Sequence, residues 1–137
     1  MFKKVTGDIQ GPLEVKGALE IEGTLHGGAT VYGKLDLIGT CHGPITVLFD
    51  GHADIEAVVH GDVHARGGKL RLRGVIDGRL GIKPEADVLL AAGTIINGRQ
   101  LQADGTLTEV QGPFKFSVPD DAPMLRPQPD GSWAPAA

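Results

Sequence analysis

The chain has 137 residues, with 13 lysines and arginines against 17 aspartates and glutamates, for a formal net charge of −4. That is the length of one domain, and the charge argues against a nucleic-acid partner. One Trp, one Tyr and four Phe are too few for an aromatic core, so the interior must be aliphatic, while a lone Cys41 excludes a disulfide framework and fits a reducing compartment.

Met1-Phe2-Lys3-Lys4 opens the chain and passes directly into a repeated phrase, with no secretory signal behind it. No window approaches the ~18 continuous apolar residues of a membrane-spanning helix. The expectation is a soluble, cytoplasmic protein.

The phrase is an aliphatic residue, a polar residue, a glycine, then alternating apolar positions. It begins at Ile9-Gln10-Gly11, Leu25-His26-Gly27, Cys41-His42-Gly43, Val59-His60-Gly61, Ile76-Asp77-Gly78 and Ile96-Asn97-Gly98. Its polar position falls at 10, 26, 42, 60, 77 and 97, advancing 16, 16, 18, 17 and 20 residues. Period-2 alternation on so short a repeat means stacked strands in a β-solenoid, not helices. Cys41 fills an aliphatic slot of the phrase and reads as a small buried hydrophobe.

A second alternating segment follows each phrase: Leu19-Glu20-Ile21, Leu35-Asp36-Leu37, Ala53-Asp54-Ile55, Leu70-Arg71-Leu72 and Ala86-Asp87-Val88. A third short face, such as Thr24-Leu25 or Val58-Val59, leads into the next phrase. Three faces per turn, broken by glycines including Gly23, Gly39 and Gly74, describe a triangular coil. Leu13, Val15, Leu19, Ile21 and Leu25 then point inward on one rung.

The body is expected over 5–110, preceded by a short peptide, 1–4. Residues 111–118 are expected to form a cap in which Phe114 and Phe116 cover the last rung. The Pro-rich stretch 119–137 lacks apolar periodicity and is expected to be a disordered tail. Trp133 is there an incidental residue.

Outward columns carry the polar chemistry. His26, His42 and His60 form a ladder down one edge, with Gln10 before them and Asp77 and Asn97 after. Zn²⁺ accepts such ligands, but side chains in line do not converge on a tetrahedral centre, so corner residues are expected, not a metal site. A second column runs Glu20, Asp36, Asp54, Arg71, Asp87, giving an Asp54–Arg71–Asp87 ladder beside a Glu56–Arg73 pair. The cluster Arg66, Lys69, Arg71, Arg73, Arg79 and Lys83 then fixes register between similar rungs. It lacks the aromatic partners of a nucleic-acid surface.

No catalytic constellation and no cofactor motif is visible, so the chain is not expected to be an enzyme. Hexapeptide acyltransferases share the triangular coil, but coils of 16 to 20 residues without a long inserted loop do not fit them. Antifreeze solenoids need a continuous threonine ladder; Thr24 and Thr40 begin one that Val58 and Val75 end.

The Gly-x-(Leu/Ile/Val)-x-(Val/Ala) rung, the coil of roughly 17 residues, the six windings and the Pro-rich tail together resemble the bactofilins, bacterial polymer-forming cytoskeletal proteins. The resemblance spans about residues 5–110. It implies an all-β, right-handed three-faced parallel β-helix of about six coils, joined end to end into filaments without nucleotide. On that reading the polymerisation surfaces are the first rung (Val5, Ile9, Leu13, Val15) and the last (Leu101, Ala103, Leu107, Val110), with Phe114 and Phe116 at the terminal surface. Met1, Phe2, Lys3 and Lys4 are similar to the family's short membrane-binding peptides, an apolar residue to insert and lysines for anionic headgroups. The partners implied are further copies of the chain, client proteins and the inner face of the membrane. The competing expectation is a monomeric binding module with both ends capped, working through a side face that displays Ile38 and Leu89. Drift in the last repeats, at Leu89-Leu90-Ala91-Ala92 and Gln100-Leu101-Gln102, sets the C-terminal end apart from the first.

Overall fold

The computed structural model describes residues 2–112, 118 and 121–135, and of Phe2 its backbone alone. Among them the chain is all strand and turn, a β-solenoid of about six parallel coils. Each of the first five coils pairs a long strand with a short one. In chain order these are β1 (Phe2–Gln10) and β2 (Leu13–Val15), β3 (Ala18–His26) and β4 (Ala29–Val31), β5 (Lys34–His42) and β6 (Ile45–Val47), β7 (His52–His60) and β8 (Val63–Ala65), β9 (Lys69–Ile76) and β10 (Leu80–Ile82). The sixth coil splits its long strand into β11 (Asp87–Ala91) and β12 (Ile95–Ile96). Long strands stack on long strands and short on short, in two parallel ladders.

The two outer faces that look separate in the sequence are thus halves of one long strand, bent at a glycine. Gly7, Gly23 and Gly39 stack in register, followed by Ala57 and Gly74. Gly39 has φ +132°, and a Cβ there would run into the Gly23 carbonyl of the coil below. At Gly39 the bend uses both the unusual torsion and the empty space, which glycine supplies, whereas Ala57 takes the same place in β7 without a positive φ.

Alternation fills the tube with like-on-like columns. Ile21, Leu37, Ile55, Leu72 and Leu90 form one, and Leu25, Cys41, Val59 and Ile76 another, all essentially solvent-free. Val15, Val31, Val47 and Ala65 form the short-strand wall. At roughly 1.5–3 kcal/mol per fully buried side chain, such columns offset the ordering of each turn.

Two sequence expectations change. The register sets Asp87 beside Lys69 and Val88 beside Leu70, so Leu89, not Asp87, lies over Arg71. Residues 83–86 hold one residue more than the matching turn 66–68, and the slip of two from the expected register puts Val88 and Leu90 in the core in place of Ala86 and Val88. Asp87 instead meets Arg126 at 3.4 Å, while Arg73 and Glu56 do pair, at 3.4 Å.

The C-terminal part departs further. The sixth coil has no short strand, because Asn97 and Gly98 (φ +48° and +80°) turn the chain back into β13 (Arg99–Leu101), antiparallel to β12. β14 (Leu107–Glu109) then pairs with β13. The stretch expected to be disordered forms a second hairpin, β15 (Met124–Pro127) and β16 (Trp133–Pro135), with β15 antiparallel to β11. Leu125 is fully buried and Trp133 is half-buried against the core. Both hairpins close with the same five-residue turn, Gln-x-Asp-Gly-(Thr/Ser), at 102–106 and 128–132. In each, Gln N–H donates to the Thr or Ser carbonyl (2.8 and 2.7 Å) and the aspartate accepts from the Thr or Ser N–H and hydroxyl. Those bonds hold the Asp104 and Asp130 carboxyls below the usual range.

Gly39→Ala is expected to destabilise the protein by about 2 kcal/mol or more in urea unfolding, whereas Ala57→Gly in the same column costs about 1 kcal/mol. Equal effects would mean that the bend does not depend on glycine.

Candidate functional site

A solenoid of this kind has two ends and a set of outer faces. At the N-terminal end, β1 and β2 are the outermost members of their ladders. Val5, Ile9 and Leu13 lie in register with Ile21, Leu25 and Ala29, all buried, yet are themselves only half-covered; Val15 is already buried. They continue the interior columns to an edge where, among the described residues, nothing stacks on them. Lys3 stands over Leu19, so an inward column ends in an exposed ammonium group. Lys4 pairs with Glu22 at 3.2 Å. Residues 2–4 therefore belong to the first strand and are not a free peptide: they pair in register with Ala18–Glu20.

The C-terminal end differs. The β15–β16 hairpin adds to the edge of β11, and β13–β14 to the edge of β12. Of the residues assigned there from sequence, Leu101 is fully buried, Ala103 and Leu107 are exposed, and Val110 is half-buried. They do not form a rung, because the chain has reversed direction between Leu101 and Leu107. Met1, Phe114 and Phe116, and the side chain of Phe2, lie outside what is described.

Along one corner the histidines form a continuous stack. The rings of His26 and His42 are 5.5 Å apart and 16° from parallel, and those of His42 and His60 are 5.0 Å apart and 9° from parallel. Asp8 reaches His26 Nε2 at 3.4 Å at one end, and Asp77 reaches His60 Nδ1 at 3.5 Å at the other. Two nitrogens bound to one Zn²⁺ at about 2.0–2.1 Å lie no more than about 4 Å apart. Nearly parallel rings present their nitrogens side by side and do not converge them on one centre, and what the stack offers is face-to-face contact with a carboxylate at each end.

Behind this corner, Cys41 is solvent-free and its thiol approaches the Gly43 carbonyl at 3.6 Å. Burial pushes the thiol from its ordinary 9.0 up to about 11, against a smaller opposing effect of the Gly28 backbone. The thiolate is the reactive form, so this sulfur is inert while the fold is closed. On the side faces, Ile38 is exposed as the alternation indicates, and Leu89 is half-buried. The repeat pattern does not single out Phe49, the most exposed of the large apolar residues among those described, at 76%. Its one signal in the sequence is the lengthening from 16 to 18, which the register places between β6 and β7.

Comparison of the chain with protein-family models, curated proteins and solved structures finds no match.

His42→Asn is expected to cost about 1 kcal/mol or less, as for other exposed polar sites, and micromolar Zn²⁺ to leave the melting temperature unchanged. A zinc-dependent rise lost in His42→Asn would make the stack a metal site. Cys41 should react with a thiol reagent at pH 8 only as fast as the protein unfolds. Because the folded pKa is the higher one, the buried thiol's contribution is intact below pH 9 and is lost as pH rises from 9 to about 11. Rapid native-state labelling would contradict this.

Proposed function

We propose that this protein is structural: a self-associating β-solenoid that joins copies of itself end to end through its N-terminal rung, without nucleotide or other cofactor. The observation that carries the reading is the open edge of β1 and β2, with Val5, Ile9 and Leu13 half-covered above a solvent-free core. An exposed strand edge over apolar side chains is a template for another strand, and a second copy offers the same edge. The repeat's resemblance to the bactofilins supports the same reading, with client proteins and a membrane surface as further partners. The hairpins at the other end favour a two-copy unit as the first species; longer filaments then need a contact beside those hairpins. The same hairpins favour a second reading, a module that binds a partner through a side face.

Ile9→Lys tests the choice. The residue is half-exposed, so the monomer can keep the ammonium group in water, whereas a stacked copy would bury it at a cost of several kcal/mol. Light scattering should show the wild type as a dimer or larger and Ile9→Lys as a monomer with an unchanged circular dichroism spectrum. A wild type that stays monomeric at high concentration and low salt ends the self-assembly reading and leaves the side-face module.

A further inference from the structure

The C-terminal end is closed on one ladder only. β15 adds a strand to the edge of β11, but the short-strand ladder stops at β10 with no strand beyond it among the described residues. Val63 N–H donates to the Arg79 carbonyl (2.9 Å) and Lys83 N–H to the Ala65 carbonyl (2.8 Å). Backbone groups alternate along a parallel strand, so those of Leu80 and Ile82 point the other way, off the end of the ladder. Directly over them lies a cavity of about 700 Å³ whose apolar lining is Leu80, Ile82, Ile96, Leu107, Val110 and Trp133. Arg79 and Arg99 stand at its rim, both exposed and with no ion pair among the described residues. The one carboxylate there, Glu109, faces Arg99 across the β13–β14 pair. In a chain of net charge −4 this rim is locally cationic.

We propose that this edge is a docking site for an extended acidic–apolar peptide segment of another protein, added to β10 as a further strand. Alternate apolar side chains of the segment drop into the cavity over Leu80 and Ile82. Its backbone takes up the two outward N–H and C=O pairs, and a carboxylate meets Arg79 and Arg99. The fold already uses this mode beside the site, where its own β15 completes β11. The rim's charge selects against a basic segment.

Trp133, the chain's only tryptophan, lines the cavity and reports on it. The full-length protein is titrated with a short acetylated peptide alternating valine with glutamate, and with its lysine counterpart. The glutamate peptide should give a saturable change in Trp133 emission and slow hydrogen exchange at the Leu80 and Ile82 amides. The lysine peptide should do neither. Arg79→Gln combined with Arg99→Gln, both at exposed positions, should weaken binding about tenfold or more with the melting curve unchanged. Equal binding of both peptides, or indifference to the arginine changes, overturns the proposal. An emission change without protection at Leu80 and Ile82 places the peptide in the neighbouring cavity formed by Trp133, Pro84, Pro127 and Pro129, and also overturns it. Protection that grows with protein concentration alone identifies the occupant as a second copy and likewise overturns it. Self-association through β1 is read separately, from Ile9→Lys.

Discussion

Everything in this molecule depends on the spacing that backbone hydrogen bonding imposes between coils. Strands in a ladder lie about 4.8 Å apart, so each residue sits almost directly over the residue one coil below. An interior side chain must therefore tolerate its own kind as a neighbour, and a corner residue must tolerate a carbonyl from the coil beneath. The first condition selects branched aliphatics, as in the column from Ile21 to Leu90. The second selects glycine at positions 23 and 39, where a Cβ would meet the backbone of the preceding coil. Large aromatic rings fit neither role. Tyr32 and Phe49 accordingly lie outside the tube, and Trp133 lies in the terminal hairpin.

The same constraint explains where the chain can change length. Extra residues inside a strand would turn every following side chain to the other face, whereas extra residues at a corner only enlarge the turn. The insertion between β6 and β7 is of that kind, closed by Asp50 with φ +72°. The ladder continues through it with Lys34 over His52 and Leu35 over Ala53. The outward histidine stack is a by-product of the same register, since one corner position repeated over three coils brings three rings face to face.

How much of this was legible follows from the same physics. Period-2 alternation and the glycine spacing report the coil because each coil obeys the same steric rule, so the columns through Ile21, Leu25 and Val15 could be read directly. The Asp87 register could not. Ala86–Val88 and Val88–Leu90 alternate equally well, and only the volume available in the core decides between them. The terminal hairpins obscured themselves differently. Asn97-Gly98 reads as one more copy of the phrase, although an Asn-Gly pair between apolar residues is also the strongest short hairpin signal. The prolines between 119 and 135 suggested disorder, and they masked a Gln-x-Asp-Gly-Ser turn that matches the one at 102–106. At the N-terminal end, Val5, Ile9 and Leu13 were legible as rung residues; that Lys3 and Lys4 continue β1 was not, because a charged pair breaks the apolar pattern.

Lys3 bears on what an open end can do. It occupies the inward column that continues as Leu19, Leu35, Ala53, Leu70 and Val88, so the tube's N-terminal opening carries one positive charge among half-covered aliphatics. An inward-pointing charge is a common guard against indiscriminate strand pairing, because any strand laid over it must leave the ammonium group hydrated or give it a partner. The Asp8 carboxylate of the same strand lies on the outward side, 3.4 Å from His26 Nε2, and is not in the inward column of Lys3. An edge of this composition discriminates between incoming strands by charge as well as by shape.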